Sequence, residues 1–474
     1  MIEVPTRIPD APSEATVEDR ARIGKQARQQ VPRSSHAEWE PTEHGGDPIE
    51  LLEAQASTRV ASLVPIRYGR MLSSPFAFYR GSAILMAADL ATTPTSGLWV
   101  QLCGDAHLAN FGAFAAPDRQ LVFDLNDFDE TLPGPWEWDL KRLGASFALA
   151  GREHGLKRKQ RRTVLLAMVR TYREVMRGFA GARTIDVWYS RLDANEVVAQ
   201  LGALASRERL REFERNVAKA RAKDNLRALK RLTRRVDGKL RIVSDPPLIV
   251  PVEELPEEDQ PEAVETQVRS LLRTYRESLA HDRRHLLDGY RYVHLARKVV
   301  GVGSVGTRAW IVLLIGRDET DPLFLQFKEA DASVLEPYTA PSSYQNHGER
   351  VVRGQRLMQA ASDIFLGWLP TVGMDGRNRD FYGRQLWDWK RSADFSALDV
   401  EGYGIYARAC GFTLARAHAR SGDRVAIGAY LGSGERFDEA IAEFSESYAD
   451  QAERDFAALA DAAKSGRIEA TEGL

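Results

Sequence analysis

The octapeptide Cys-Gly-Asp-Ala-His-Leu-Ala-Asn at residues 103–110 restricts the possible folds of this chain more than any other segment. The apolar run Leu98–Leu102 before it reads as a strand, so the octapeptide is predicted to be a tight loop after that strand. Two short apolar runs follow at residues 111–114 and 121–124, and the Ala-Pro-Asp-Arg-Gln between them is typical of a hairpin. Because long helical patterns dominate elsewhere, we expect a mixed α+β fold.

A second group of carboxylates comes shortly after this loop, at residues 123–130. Asp105 is the candidate base that orients an acceptor hydroxyl, and Asn110 could place an amide oxygen on Mg²⁺. Asp127 could bridge the metal to the phosphates of a nucleotide. The competing interpretation is that these side chains merely close turns, but their joint spacing favours a magnesium site. The neighbouring candidate metal ligands are Asp124 and Asp129.

His107 is the second candidate catalytic residue, and its role is open between orienting the loop and touching the metal shell. A structural hydrogen bond is the preferred interpretation. A Gly-Asp-x-His string also suits a metallophosphoesterase, but that chemistry needs further His and Asp clusters to hold two metals. The remaining histidines come without such clusters, so this alternative ranks low.

A glycine-rich string, Gly-Val-Gly-Ser-Val-Gly, occupies residues 301–306. In a dinucleotide-binding fold such a string lies between a strand and a helix, but the residues after it, 307–315, are typical of a strand. A glycine loop between two strands is the kinase arrangement, in which backbone amides cover the phosphates of ATP. A plain hairpin turn is the alternative. The predicted nucleotide-binding residues here are Gly301, Gly303, Ser304 and Gly306.

A lysine, Lys328, closes the next apolar strand and is the candidate partner of the ATP phosphates. The following predicted helix carries Glu349, which could pair with Lys328, and Glu329 and Glu336 are its rivals. Gln385 lies in a predicted hairpin at the position where an adenine-contacting hinge would be.

These motifs together resemble the protein-kinase-like superfamily. Residues 104–110 are similar to the Gly-Asp-x-His-x-x-Asn catalytic loop of aminoglycoside and choline phosphotransferases. Residues 126–139 are similar to the metal segment of the same enzymes, followed by Gly-x-Pro-x-x-Asp-Leu. This resemblance implies that Asp127 is the metal acid and that Asp139 is a structural residue at a helix start.

A longer resemblance covers the chain from about Arg59 to Asp423 and identifies it with an uncharacterised bacterial family, domain of unknown function twenty-two fifty-two. The matching strings are residues 76–81, 102–112, 123–145, 298–308, 354–366 and 414–423. In a kinase the glycine loop and lysine precede the catalytic loop, whereas here they follow it. We therefore predict a circularly permuted, two-lobed kinase-like fold, because chain termini tend to lie close together at the surface.

The predicted domains follow from this order. Residues 1–48 form a flexible or loosely packed arm, and residues 49–297 form a helical large lobe with the catalytic loop and metal segment. Residues 298–392 form a small β-rich lobe that binds ATP, and residues 393–474 return as helices to the large lobe.

Composition excludes several other classes. A net charge of −2 gives no global attraction to nucleic acid or membrane, and no apolar run approaches the roughly 20 residues of a membrane span. The stretch 207–239 is basic, but it reads as a solvated helix face rather than a nucleic-acid site. Two cysteines and no signal-peptide pattern favour the cytoplasm.

The resemblance implies a phosphotransferase that uses ATP and Mg²⁺ and acts on a small-molecule or protein acceptor that no segment specifies. Nucleotidyl (AMP) transfer would use the same metal residues and remains an alternative. A non-catalytic nucleotide-binding module, or pseudokinase, is the second alternative.

Overall fold

The computed structural model describes residues 15–39, 47–193, 215, 225–255, 261–373, 376–386, 389 and 393–473. The helices are α1 Val17–Gln30, α2 Pro48–Ala56, α3 Val64–Met71, α4 Pro75–Gly81, α5 Ala83–Leu90, α6 Trp136–Glu153, α7 Arg158–Gly181, α8 Thr184–Tyr189, α9 Asn225–Leu232, α10 Pro261–Glu277, α11 His281–Asp288, α12 His347–Met358, α13 Val400–Ser421, α14 Arg424–Leu431 and α15 Arg436–Lys464. The strands are β1 Trp99–Leu102, β2 Phe111–Ala115, β3 Leu121–Leu125, β4 Leu132–Pro135, β5 Leu192–Asp193, β6 Thr233–Val236, β7 Lys239–Ile242, β8 Ile249–Pro251, β9 Arg291–Lys298, β10 Ala309–Ile315, β11 Pro322–Glu329, β12 Gly367–Val372 and β13 Asn378–Gln385.

The largest sheet is antiparallel and has the strand order β12-β13-β11-β10-β9-β8. Successive side chains of β10 enter two different cores, because a strand turns alternate residues to opposite faces. Ile311 and Leu313 pack in the core that includes α9, whereas Val312 and Leu314 pack in the core that includes Tyr275 of α10. The sheet is thus covered on both faces, as its continuous apolar run predicts.

The helical part is built around α6, whose residues are almost all buried. Trp136 at its start stacks on Tyr172 of α7 with ring centroids 5.6 Å apart and packs against Phe437 of α15 at 5.2 Å. Such aromatic contacts bury large apolar areas and fix the crossing of the helices. No helix of the described residues is long and apolar enough to cross a membrane.

Two small sheets carry the polar motifs between these parts. β1 pairs with β4, and β2 pairs with β3 as the predicted hairpin. The octapeptide therefore leaves a buried strand, and the carboxylates after β3 return beside it. The glycine-rich string lies between β9 and β10 and is therefore a loop between two strands, of which only the second was predicted.

The described part of the N-terminal arm, residues 15–39, differs from the loosely packed segment predicted for residues 1–48. Arg20 of α1 pairs with Asp423 at 2.8 Å, and the buried His36 ring lies 2.6 Å (Nε2 to OH) from Tyr430. These partners lie about 400 residues away in sequence, so no local sequence pattern could predict the contacts.

The predicted lobe boundary at residue 298 also differs from the observed packing. Residues up to Arg297 were predicted to be helical, but β9 pairs with β10 and belongs to the large sheet, as does β8. The polar-rich sequence of β9 does not indicate a strand by itself, and β9 is a strand because it pairs with β10 and β8. Helix α12 ends at Met358, earlier than the predicted end near residue 366. Most of the basic stretch 207–239 lies outside the described residues.

Candidate functional site

A cleft of about 1080 Å³ lies between the glycine-rich string and the octapeptide loop. Its walls come from four separated stretches of sequence, near residues 55–84, 105–130, 301–307 and 329–380. Most of the predicted site residues share this one cleft. Those that line it are Asp105, His107, Asn110, Asp127, Asp129, Gly301, Gly303 and Ser304.

The octapeptide loop is shaped by Gly104 and Asp139. Gly104 has a φ of +82°, and a Cβ at this position would overlap the carbonyl oxygen of Glu130. The buried carboxylate of Asp139 accepts the backbone amides of Cys103 (2.8 Å) and Gly104 (3.0 Å). Asp139 therefore anchors the loop, and Gly104 brings the loop against the metal segment.

Asp105 is held at the cleft by Arg142, a residue that the sequence analysis missed. Arg142 Nε donates to Asp105 Oδ1 at 2.9 Å, and its Nη2 donates to the Tyr79 carbonyl at 2.7 Å. The guanidinium also lies 3.8 Å from the Tyr79 ring centroid. Asn110 Nδ2 donates to the Asp105 backbone oxygen at 2.7 Å, which leaves the Asn110 amide oxygen for another ligand. Arg142 lies one turn after Asp139, but α6 also carries Glu137 and Lys141, so the position of Arg142 in the sequence was no distinct signal.

His107 is buried 3.8 Å from Asp105 (Nε2 to Oδ2). Its pKa is lowered to about 3, because burial and the charges of Arg80 and Arg142 outweigh the attraction of Asp105. The imidazole is therefore neutral at physiological pH. A neutral, buried imidazole is poorly suited to proton transfer to a substrate, and its buried Nδ1 has no hydrogen-bond partner among the described residues.

Lys328 joins the large sheet to the metal segment. Its Nζ lies 2.5 Å from Asp129 Oδ2 and 3.7 Å from Asp127 Oδ1. Burial alone would lower the pKa of Lys328, but the two carboxylates outweigh it and hold the pKa above its ordinary value. Asp129 also accepts from the Tyr382 hydroxyl (2.6 Å) and from Ser304 Oγ (3.3 Å), so the glycine-rich string meets the same carboxylate.

Five predicted site residues do not line this cleft, and two of them, Gly306 and Lys328, are buried next to residues that do. Asp124 is buried and forms an ion pair with Arg416 of α13. The Glu349 carboxylate lies 3.2 Å from Arg353 on the same helix and does not pair with Lys328. Gln385 lines a separate, smaller pocket and donates to Asn225 at 3.2 Å. Local spacing could not separate Asp124 and Gln385 from their neighbours, because their partners are distant in sequence, whereas Glu349 pairs with a residue one turn along its own helix.

A clamp on the glycine-rich string is the other feature that sequence reasoning missed. Arg59 Nη1 donates to the carbonyls of Gly303 (2.8 Å) and Val305 (2.5 Å). The backbone nitrogen of Val60 donates to the Gly306 carbonyl at 2.8 Å. Arg59 and Val60 therefore hold the backbone of residues 303–306 by hydrogen bonds to its carbonyl oxygens.

The donor set of the cleft fits a magnesium ion that shares its coordination with phosphates. Mg²⁺ takes one or two carboxylates plus phosphate oxygens, and Asp127, Asp129 and the Asn110 amide oxygen are of this kind. Over the residues that the structure describes, no group of three or more His, Cys, Asp or Glu residues forms a complete metal cage.

Comparisons with known proteins give one relationship. The search of curated proteins found no match, and the search of solved structures found none. A family model matches residues 59–462, which include the loop, the metal segment, the glycine-rich string and Lys328. The chain therefore belongs to the family described as uncharacterized protein conserved in bacteria (DUF2252).

Proposed function

We propose that this protein is an ATP- and Mg²⁺-dependent phosphotransferase with a circularly permuted, protein-kinase-like fold. One observation carries the proposal: Asp105, Asn110 and Asp127 share a cleft with a glycine-rich string that follows them by nearly 200 residues. A buried lysine of β11 reaches the same carboxylates. Kinase chemistry uses this combination of groups, because it depends on positioning and charge stabilisation of the phosphates.

The topology of the large sheet supports the kinase-like part of the proposal. From β9 onward the chain runs strand, glycine-rich string, strand, and a strand bearing Lys328, followed by helix α12 and two more strands. Protein kinases likewise carry a glycine-rich loop and a lysine on the third strand. The difference is that this unit comes late in the chain.

A contact between distant residues supports the permutation. Helix α13 ends beside β1, where the backbone nitrogen of Gln101 donates to Ser421 Oγ at 3.2 Å. These residues are 320 positions apart, yet in the unpermuted order this helix would lead directly into the catalytic loop. A circular permutation would leave the end of α13 next to β1 in space although the two segments are far apart in sequence.

In the proposed reaction the acceptor hydroxyl oxygen attacks the γ-phosphorus of ATP. The bond from this phosphorus to the β–γ bridging oxygen breaks, ADP leaves, and Asp105 takes the acceptor proton. Arg142 fixes the Asp105 carboxylate, and the backbone of residues 301–306 covers the phosphates. Asp127 and Asn110 would hold Mg²⁺, which supplies charge neutralisation on the phosphate oxygens when bound.

One observation favours the non-catalytic alternative. An active kinase pairs its strand lysine with a helix glutamate, whereas Lys328 pairs with Asp129 and Glu349 pairs with Arg353. A nucleotide-binding module without turnover would keep this arrangement. A catalytic protein would release Lys328 to the phosphates when nucleotide binds.

The products formed from ATP distinguish phosphoryl transfer, AMP transfer and nucleotide binding without turnover. The assay contains no added acceptor, so water takes that place. Phosphoryl transfer yields ADP and phosphate, AMP transfer yields AMP and pyrophosphate, and a binding module yields no product. We expect ADP, with a loss of roughly 100- to 10,000-fold in Asp105→Asn because the base is removed. Asp127→Asn should also lower turnover strongly, since it removes the proposed metal acid.

Asp118→Asn is the matched control, because Asp118 pairs with Arg191 at 2.9 Å on the hairpin turn outside the cleft. This variant should keep the turnover of the parent protein. Undiminished turnover in both Asp105→Asn and Asp127→Asn would refute the proposal.

A further inference from the structure

Arg80, at the end of α4, is a cation of the cleft that forms no ion pair with a described residue, although the carboxylates of Asp105 and Asp127 attract its charge. It lines the cleft together with Asp105 and His107. Its Nε is buried and has no hydrogen-bond partner, and within the described part of the chain its guanidinium makes no ion pair or side-chain hydrogen bond. Its nearest defined neighbour is the Phe76 ring, 5.9 Å from the guanidinium carbon to the centroid.

Other arginines around the cleft are committed to protein acceptors. Arg59 donates to the Gly303 carbonyl at 2.8 Å, and Arg142 donates to Asp105 at 2.9 Å. Arg350 donates to the carbonyls of Thr131 and Asp129, each at 2.8 Å. These contacts build the walls of the cleft, whereas Arg80 is held in place without using its donors.

A buried guanidinium nitrogen without a hydrogen-bond partner is costly, and a bound anion would offset that cost. Arginine remains charged under all ordinary conditions and offers a planar fork of donors that matches phosphate and carboxylate oxygens. The position is also suitable, because the glycine-rich string passes over Arg80: a Cβ on Gly303 would lie 2.9 Å from the Arg80 carbonyl.

We propose that Arg80 binds an oxyanion of the substrate beside Asp105. The same chemistry has two sources, namely an anionic group on the acceptor and the phosphoryl group in transfer. This inference rests on the proposed function and extends it, because it adds an anion-recognition residue on the acceptor side of the cleft.

Calorimetric titrations of the full-length protein distinguish the sources. One arm compares Mg–ADP with Mg–AMP-PNP, a nonhydrolysable ATP analogue, in the parent protein and in Arg80→Gln. A preference for Mg–AMP-PNP that falls at least tenfold in the variant assigns Arg80 to the transferred group. The other arm titrates inorganic phosphate into protein saturated with Mg–AMP-PNP. Binding that weakens at least tenfold assigns Arg80 to an anionic acceptor.

Two further variants make the result specific. Arg80→Lys keeps the charge but not the fork, so its affinities should lie between those of the parent and Arg80→Gln. Arg183→Gln is the matched control, because Arg183 is exposed and pairs only with its neighbour Asp186. Thermal unfolding should change little in Arg80→Gln, since the side chain makes no hydrogen bond within the described chain.

The proposal is overturned if Arg80→Gln matches the parent in both arms, or if Arg183→Gln weakens phosphate binding equally. Failure of the proposed function has a different signature, which is that the parent protein binds no Mg–nucleotide. In that case phosphate is titrated into the nucleotide-free protein. Binding that depends on Arg80 supports the oxyanion site, and binding that is absent or independent of Arg80 overturns it.

Discussion

Replacing Gly104 with alanine tests whether the octapeptide loop is pressed against the metal segment. Gly104 combines a φ of +82° with a Cβ position that overlaps the Glu130 carbonyl. The left-handed backbone alone costs an alanine roughly 1–2 kcal/mol. Displacing a packed backbone carbonyl adds roughly 1–3 kcal/mol. We therefore expect Gly104→Ala to destabilise the loop by about 2–5 kcal/mol.

Gly97→Ala separates the two contributions. Gly97 has a φ of +74° in an exposed turn, and nothing lies within 4 Å of its Cβ position. It therefore carries the backbone cost without the overlap. The difference between the variants isolates the contact with Glu130, and we expect it to be about 1–3 kcal/mol.

Hydrogen exchange measures this difference locally. The amides of residues 103 and 104 donate to Asp139, so their exchange reports opening of the loop. Exchange should be roughly 30- to 5,000-fold faster in Gly104→Ala than in the parent, since local opening follows the full expected loss of about 2–5 kcal/mol. Gly97→Ala should leave these amides unchanged. Equal unfolding costs in the two variants, with no faster exchange in Gly104→Ala, would refute the reasoning.

Two more predictions concern the clamp and a buried acid. Arg59→Gln removes the donors to the Gly303 and Val305 carbonyls, so amide exchange in residues 301–306 should accelerate. Asp455 is shielded from water, and burial raises its pKa from 3.8 to about 6. As pH rises, the unfolded chain releases this proton before the folded chain does. The contribution of Asp455 to the free energy of unfolding is therefore greatest below pH 4 and is lost as pH rises through 6, by at most about 3 kcal/mol. Asp455→Asn should therefore raise Tm at pH 8 and leave it nearly unchanged below pH 4.

Exposed residues of the same type serve as controls. Arg22 pairs with Asp19 on the surface, so Arg22→Gln should not alter exchange in the glycine-rich string. Asp461 is 79% exposed on the same helix as Asp455, and Asp461→Asn should shift Tm little at either pH. A Tm for Asp455→Asn that moves equally at both pH values would contradict the assigned cause.

Much of the fold could be predicted because many helices and strands show their hydrophobic period within a short stretch of sequence. The hairpin of β2 and β3, the paired strands β10 and β11, and the long helices α13 and α15 each show their period in a short window. By contrast, β9 carries arginine, histidine and lysine and was read as part of a helix. Its pairing with β10, which supplies its hydrogen bonds, lies outside that window.

The candidate site divides in the same way. Asp105, Asn110 and Asp127 could be predicted because turn geometry and oxygen chemistry depend on residues close together in sequence. Arg142 could not be linked to Asp105 by pattern alone, because the pair is 37 residues apart and meets only when α6 packs behind the loop. Glu349 differs, because its partner Arg353 lies one turn along the same helix, a pairing that sequence spacing could have indicated.

Residue types and local periods alone specified the mixed fold class, the two polar motifs and the lysine that closes β11. Packing between distant segments specified which carboxylates share the cleft, because Asp129 is turned towards Lys328 and Asp124 towards Arg416. Among the described residues it also left Arg80 without an ion pair, whereas the neighbouring arginines Arg59, Arg142 and Arg350 donate to protein acceptors. The physical reason is that a side chain's chemistry belongs to its residue type, whereas its orientation and ion pairs depend on segments that meet only in the folded chain.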